Sequence, residues 1–164
     1  MNMRKLVVAA VLGVLVVGQA AVADPHRLGA GVRYNRSAST LGDGVDSDGL
    51  SYLLSYQLVP VSLIKIEVDA EFMPSSLTGN GTAVIPQLYA LLGGWIYAGL
   101  GIGMPYMDGE FADDPIYNIR AGLDIPIGSI HFDINANYGF TDFDQLSDFE
   151  SDNVTVGLIA RYEF

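Results

Sequence analysis

The chain has 164 residues, room for one domain rather than two. Half of its residues are apolar and few are charged, yet its formal net charge is −11. That balance argues against a nucleic-acid partner, and the lack of cysteine excludes disulfides, thiolate metal sites and a cysteine nucleophile.

Residues 1–23 read as a signal peptide. Arg4 and Lys5 supply a positive start, residues 6–17 an apolar stretch, and Ala21-Val22-Ala23 a small-residue cleavage site before Asp24. The apolar stretch is shorter than the ~20 residues a membrane-spanning helix needs. The mature part is therefore expected to be a single domain, 24–164. Its basic residues (Arg27, Arg33, Arg36, Lys65, Arg120 and Arg161) form no patch.

The mature part alternates residue by residue, the mark of strands with two different faces. Leu28, Ala30, Val32 and Tyr34 alternate with Arg27, Gly29, Gly31 and Arg33. In the second segment Leu50, Tyr52, Leu54, Tyr56 and Leu58 share a face; in the third, Ile64, Ile66, Val68, Ala70 and Phe72 oppose Lys65, Glu67, Asp69 and Glu71. A fourth strand is expected at about 83–92, with Pro86 near its start or at a bulge. The fifth sets Ile96, Ala98, Leu100, Ile102 and Met104 against Trp95, Tyr97, Gly99, Gly101 and Gly103. The sixth sets Tyr117, Ile119, Ala121, Leu123 and Ile125 against Asn118, Arg120, Gly122 and Asp124. The seventh, Ile130 to Phe140, is the cleanest, and the eighth runs from Val154 to Phe164. Most of these segments match the ~9–11 residues of a tilted membrane strand.

Short turns are expected at 59–62, 93–94 and 126–129, and longer polar loops at about 37–47, 74–82, 105–115 and 141–152. No apolar-face position carries a charge, and the apolar-face aromatics gather toward the two strand ends. The expected fold is all-β: an eight-stranded antiparallel up-and-down transmembrane β-barrel. The competing architecture is a soluble barrel or sandwich with the apolar face buried as its core.

The ending Leu158-Ile159-Ala160-Arg161-Tyr162-Glu163-Phe164 resembles the C-terminal signature of bacterial outer-membrane barrels. With the signal peptide and eight strands, the chain resembles the small barrels typified by outer-membrane protein X and the membrane domain of outer-membrane protein A. The resemblance implies a location in the outer membrane of a Gram-negative cell after cleavage near Ala23/Asp24. It also implies contact with membrane lipid and lipopolysaccharide. Tyr162 and Phe164 would form the signal read by the barrel-assembly machinery.

Inside such a barrel Arg27, Arg33, Lys65, Arg120 and Arg161 would meet Glu67, Asp69, Glu71, Asp124, Asp133 and Glu163. Buried charges must pair, so these residues are expected to plug the lumen. A turn centred near Ile127 and Gly128 would set Asp124 opposite His131 and bring Arg120 diagonal to Asp133. The interior glycines would make room for Trp95, Tyr97, Tyr89 and the arginines. The loops are acidic, and Asp43, Asp46, Asp48, Asp142, Asp144 and Asp148 are candidates for loose divalent-cation binding. No cofactor is expected. Some small barrels of the resembled kind modify lipid with Ser and His, but His26 and His131 both fall at the turn end. The functional expectation is a non-enzymatic barrel serving envelope integrity or surface interaction. A small-solute channel or carrier is the alternative, and a lipid-modifying enzyme comes third.

Overall fold

The computed structural model describes residues 25–35, 48–79, 81–146 and 153–164. The expected signal peptide lies outside them, as do Asp43, Asp46 and Asp148. The strands are β1 His26–Asn35, β2 Gly49–Val61, β3 Ile64–Met73, β4 Ala83–Gly93, β5 Ile96–Gly103, β6 Tyr106–Met107, β7 Glu110–Phe111, β8 Ile116–Ile127, β9 Ile130–Phe140 and β10 Val154–Glu163. Eight of them close a barrel in the order β1-β2-β3-β4-β5-β8-β9-β10, with β10 returning to β1 and every pair antiparallel. Closure removes the unpaired edges that an open sheet would expose. Among the described residues no helix is long and apolar enough to cross a membrane.

Alternation sets the two faces. On β9 His131, Asp133, Asn135 and Asn137 are buried while Ile130, Phe132 and Ile134 are exposed. β3 buries Lys65, Glu67, Asp69 and Glu71 in the same way. The apolar face is therefore the outside and the charged face the inside. This overturns the competing architecture, in which the apolar face would form the core.

Two of the three turns are tighter than expected, and the turn expected at 93–94 falls one residue later. Ser62-Leu63, Gly94-Trp95 and Gly128-Ser129 each join two strands that run up to them, with Gly128 at a left-handed φ of 64°. β2 thus reaches Val61, with a bulge between Leu58 and Val61 where Pro60 cannot donate to the ladder. Pro126 lies within β8 rather than in a turn. It sits next to the closing pair Ile127–Ile130, where its nitrogen faces away from β9. On that other side β8 has passed the last bond to the β4–β5 turn, from Asp124 N to Trp95 O.

The register moves by two residues in consequence. Asp124 pairs with Asp133, Gly122 with Asn135, Arg120 with Asn137 and Pro126 with His131. The expected pairing of Asp124 with His131 is corrected accordingly. Trp95 is corrected too: it stands exposed in a turn, outside the lumen.

Pro86 is the fourth residue of β4, and the β3–β4 ladder runs through it unbroken. Its carbonyl faces β5 and accepts from Met104 N at 3.1 Å. Beyond that bond regular pairing stops, resuming only where Tyr106 meets Val84. Pro86, which carries no N–H donor, faces this gap.

The charged lumen as candidate functional site

The interior is built in three layers, and each draws on several strands. At the turn end Asp124 of β8 is the hub. Its Oδ2 accepts from Arg27 Nη1 at 2.8 Å and from Lys65 Nζ at 2.6 Å. Its Oδ1 lies 2.8 Å from His131 Nδ1. Glu163 accepts from Arg27 Nε at 2.8 Å and lies 3.1 Å from His131 Nε2. Lys65 also donates to the Gly94 carbonyl at 2.9 Å. Of the eleven charged residues expected inside, only Glu163 stays partly open to solvent.

The middle layer is fully buried. Arg120 of β8 and Arg161 of β10 converge on Glu67 of β3, three strands round the wall from each. Arg120 Nη1 reaches Glu67 Oε1 at 2.5 Å, and Arg161 Nη2 reaches the same oxygen at 2.7 Å. Arg120 also donates from Nη2 to Asp69 at 2.9 Å and from Nε to Asn137 at 2.6 Å. Its guanidinium lies 3.5 Å from the centre of the Tyr89 ring, a close cation–π contact. Arg161 donates from Nε to Ser55 at 3.0 Å and lies 3.1 Å from Asp133. The Arg161 contacts with Glu67 and Asp133 are ion pairs too oblique for hydrogen bonds. Asp133 is held by the Tyr97 hydroxyl at 2.7 Å and by Asn135 Nδ2 at 2.5 Å. Arg120 thus crosses the lumen to β3 and does not pair with Asp133, as the shifted register requires.

At the loop end Arg33 Nη1 donates to the Glu71 carboxylate and, at 3.2 Å, to Gln87. Glu71 also accepts from Ser51 at 2.5 Å and from Gln87 Nε2 at 2.7 Å. An apolar cap covers this layer. Leu77, from a helical turn Ser75–Thr78 in the second loop, packs with Met73, Ala83, Ile85 and Met107. A Cβ at Gly49 would stand 2.6 Å from Leu77, so a glycine there lets the cap close.

Glycines make the middle layer possible in the same way. A Cβ on Gly122 would stand 2.6 Å from the Tyr97 hydroxyl, and one on Gly101 would run into the Tyr89 ring. Arg161 occupies the space beside Gly29.

The uncharged members of these layers (Ser51, Ser55, Gln87, Asn135, Asn137 and Gln57, which accepts from Arg27 and donates to Glu67) sit at the positions of their strands that alternate with the apolar face. Parity was the signal that could have added them to the site. Leu77 gave a weaker signal, a single large apolar residue in a polar loop.

Outside the lumen, His26 Nδ1 lies 2.6 Å from the Tyr56 hydroxyl, and its ring stacks on Phe164 at 6.0 Å. Phe164 N donates to His26 O at 2.9 Å, so the last residue is tied to β1. Tyr162 and Phe164 are both exposed. At the loop end Tyr117 and Phe140 stack at 5.7 Å, and Phe143 of the fourth loop packs on both. Tyr34 donates to Asp48 at 2.8 Å, and Asp142 accepts from Asp144 N at 3.1 Å. Among the described residues no group of three or more acidic or His side chains is placed to hold a metal ion.

The third loop departs from expectation. Tyr106–Met107 and Glu110–Phe111 form a small hairpin whose turn residues, Asp108 and Gly109, have φ of 54° and 90°. Asp-Gly is the dipeptide that such a turn favours, so this signal was present in the sequence.

No protein-family model matches the chain, and no curated protein matches it.

Proposed function

We propose that the chain is a non-enzymatic bacterial outer-membrane barrel, closed to solutes, that serves envelope integrity or surface interaction. It would be of the kind typified by outer-membrane protein X and the membrane domain of outer-membrane protein A. The observation that carries the closed-lumen reading is the middle layer. Arg120 and Arg161 reach across to Glu67, Asp69 and Asp133, with all five side chains buried. An eight-stranded barrel is just wide enough for side chains to fill, and these fill it.

The membrane reading is supported by the outer wall, which exposes Leu28, Leu54, Leu100, Ile134 and Leu158. Among the described residues no outward position of the eight wall strands is Asp, Glu, Lys or Arg. Contiguous apolar surface on this scale calls for lipid or a partner. In this reading residues 1–23 direct export and are removed near Ala23/Asp24, and the wall meets lipid and lipopolysaccharide. The β10 strand ending in Tyr162 and Phe164 is offered to the assembly machinery. The non-enzymatic reading rests on the histidines: both lie at the turn end, and His131 is held between Asp124 and Glu163.

Purified protein in planar lipid bilayers at neutral pH should show no sustained conductance. Arg120→Ala leaves Glu67 and Asp69 undercompensated and should produce openings. Stable openings in the wild type that Arg120→Ala leaves unchanged would contradict the plug and favour the channel.

A further inference from the structure

The charges of the middle layer do not balance. At the turn end Arg27 and Lys65 face Asp124 and Glu163, with His131 between the two carboxylates. At the loop end Arg33 faces Glu71. Between these layers Arg120 and Arg161 face three carboxylates, Glu67, Asp69 and Asp133, and all five side chains are fully buried. Adding the Arg33–Glu71 pair to this group leaves the same excess of one negative charge. An uncompensated charge in a dry interior is so costly that such a group takes up a proton instead.

The three carboxylates are not equally served. Glu67 Oε1 takes both arginines, and its Oε2 accepts from Gln57 at 2.6 Å. Asp133 accepts from Tyr97 at both oxygens and from Asn135 at Oδ1. Asp69 accepts from Arg120 at Oδ2, and among the described residues its Oδ1 is the one buried carboxylate oxygen without a hydrogen bond. Asp69 and Glu67 stand two residues apart on the inner face of β3, with their side chains in hydrogen-bond contact. Ionised carboxylates only accept, so a bond between two of them needs a proton. Around Asp69 the other charged or titratable groups are Glu71 of β3, Arg33 of β1, Tyr89 of β4, Arg120 of β8 and Arg161 of β10.

We propose that Asp69 and Glu67 share one proton at neutral pH, carried on Asp69, which makes the sealed interior electrically neutral. Taken up from water as the barrel folds, the proton gives Asp69 an O–H that donates to Glu67, while Oδ2 keeps its bond from Arg120. An Asp of the unfolded chain is ionised at this pH. The folded barrel therefore holds one proton more than the unfolded chain, and its stability falls as pH rises toward the point where that proton is lost. The inference uses the burial of the middle layer and not the conductance reading. A conducting wild type would contradict the closed barrel, whereas a missing proton in a non-conducting wild type contradicts only this assignment.

Infrared spectroscopy of the barrel in vesicles of ether-linked lipid, which has no ester carbonyl to mask the signal, reads the proton directly. The wild type at neutral pH should show the carbonyl stretch of a protonated carboxylic acid, and Asp69→Asn should lack it. Asn has the shape of the protonated acid, so Asp69→Asn should match or exceed the wild-type urea midpoint at neutral pH. It should also lose the fall in midpoint that the wild type shows at mildly alkaline pH. Glu67→Gln removes the same excess charge but takes away the carboxylate on which both arginines converge, so its midpoint should drop. No acid band in the wild type, a band that survives Asp69→Asn, or an Asp69→Asn barrel as unstable as Glu67→Gln would overturn the proposal.

Discussion

Arg120 shows how the interior is held. Its guanidinium contacts Glu67, Asp69 and Asn137 and lies over Tyr89, so one side chain joins β8, β3, β9 and β4. Removing one partner from a buried pair leaves a charge without compensation, which costs about 3–5 kcal/mol. Arg120→Ala should therefore lower stability by about that amount in a urea titration of barrel folded into lipid vesicles. An unchanged midpoint would mean that the middle layer is not a structural network. The residues of this layer were legible from parity, since every charged one alternates with apolar neighbours. Their partners were not. Partnership depends on which side chains reach across the lumen, and a two-residue error in register exchanged Asp133 for Glu67 and Asp69.

At the scale of the strand, the outer face carries its own test. Leu100 on β5 and Ile134 on β9 are exposed and lie near the middle of their strands. If they face lipid near mid-bilayer, Leu100→Arg and Ile134→Arg should each cost ~2–4 kcal/mol in a refolding titration. Asn135→Ser, on the inner face, should cost less. Arginine tolerated at both outer positions would mean that water already wets this face. The last strand has a separate prediction. Deleting Phe164 removes two backbone bonds and a ring contact to His26, and the residue that resembles the assembly signal. The deletion should reduce incorporation into outer membranes, read as a loss of heat-modifiable protein on gels, and normal levels would contradict the assignment. Strand positions were readable because each segment alternates for several residues. Strand ends were not, because Pro60 and Pro126 look like turn residues. Each is instead accommodated inside a strand, one at a bulge and one past the end of its neighbour.

For the whole molecule, number, order and pairing of the wall strands follow from short turns that force consecutive strands to lie side by side. The loop end was less readable. The β6–β7 hairpin and the Leu77 cap rest on a few residues packed onto the barrel rim, and periodicity carries no signal in such short pieces. The inverted arrangement, apolar outside and ion-paired inside, is what supports the proposal of a lipid environment. The most direct test uses the absence of native cysteine. Ala30→Cys, Leu100→Cys, Ile134→Cys and Leu158→Cys, each spin-labelled in lipid vesicles, would report whether the outer wall meets lipid or water. High collisional accessibility to oxygen with low accessibility to a water-soluble nickel chelate at all four positions is the predicted result; high accessibility to the chelate would contradict it.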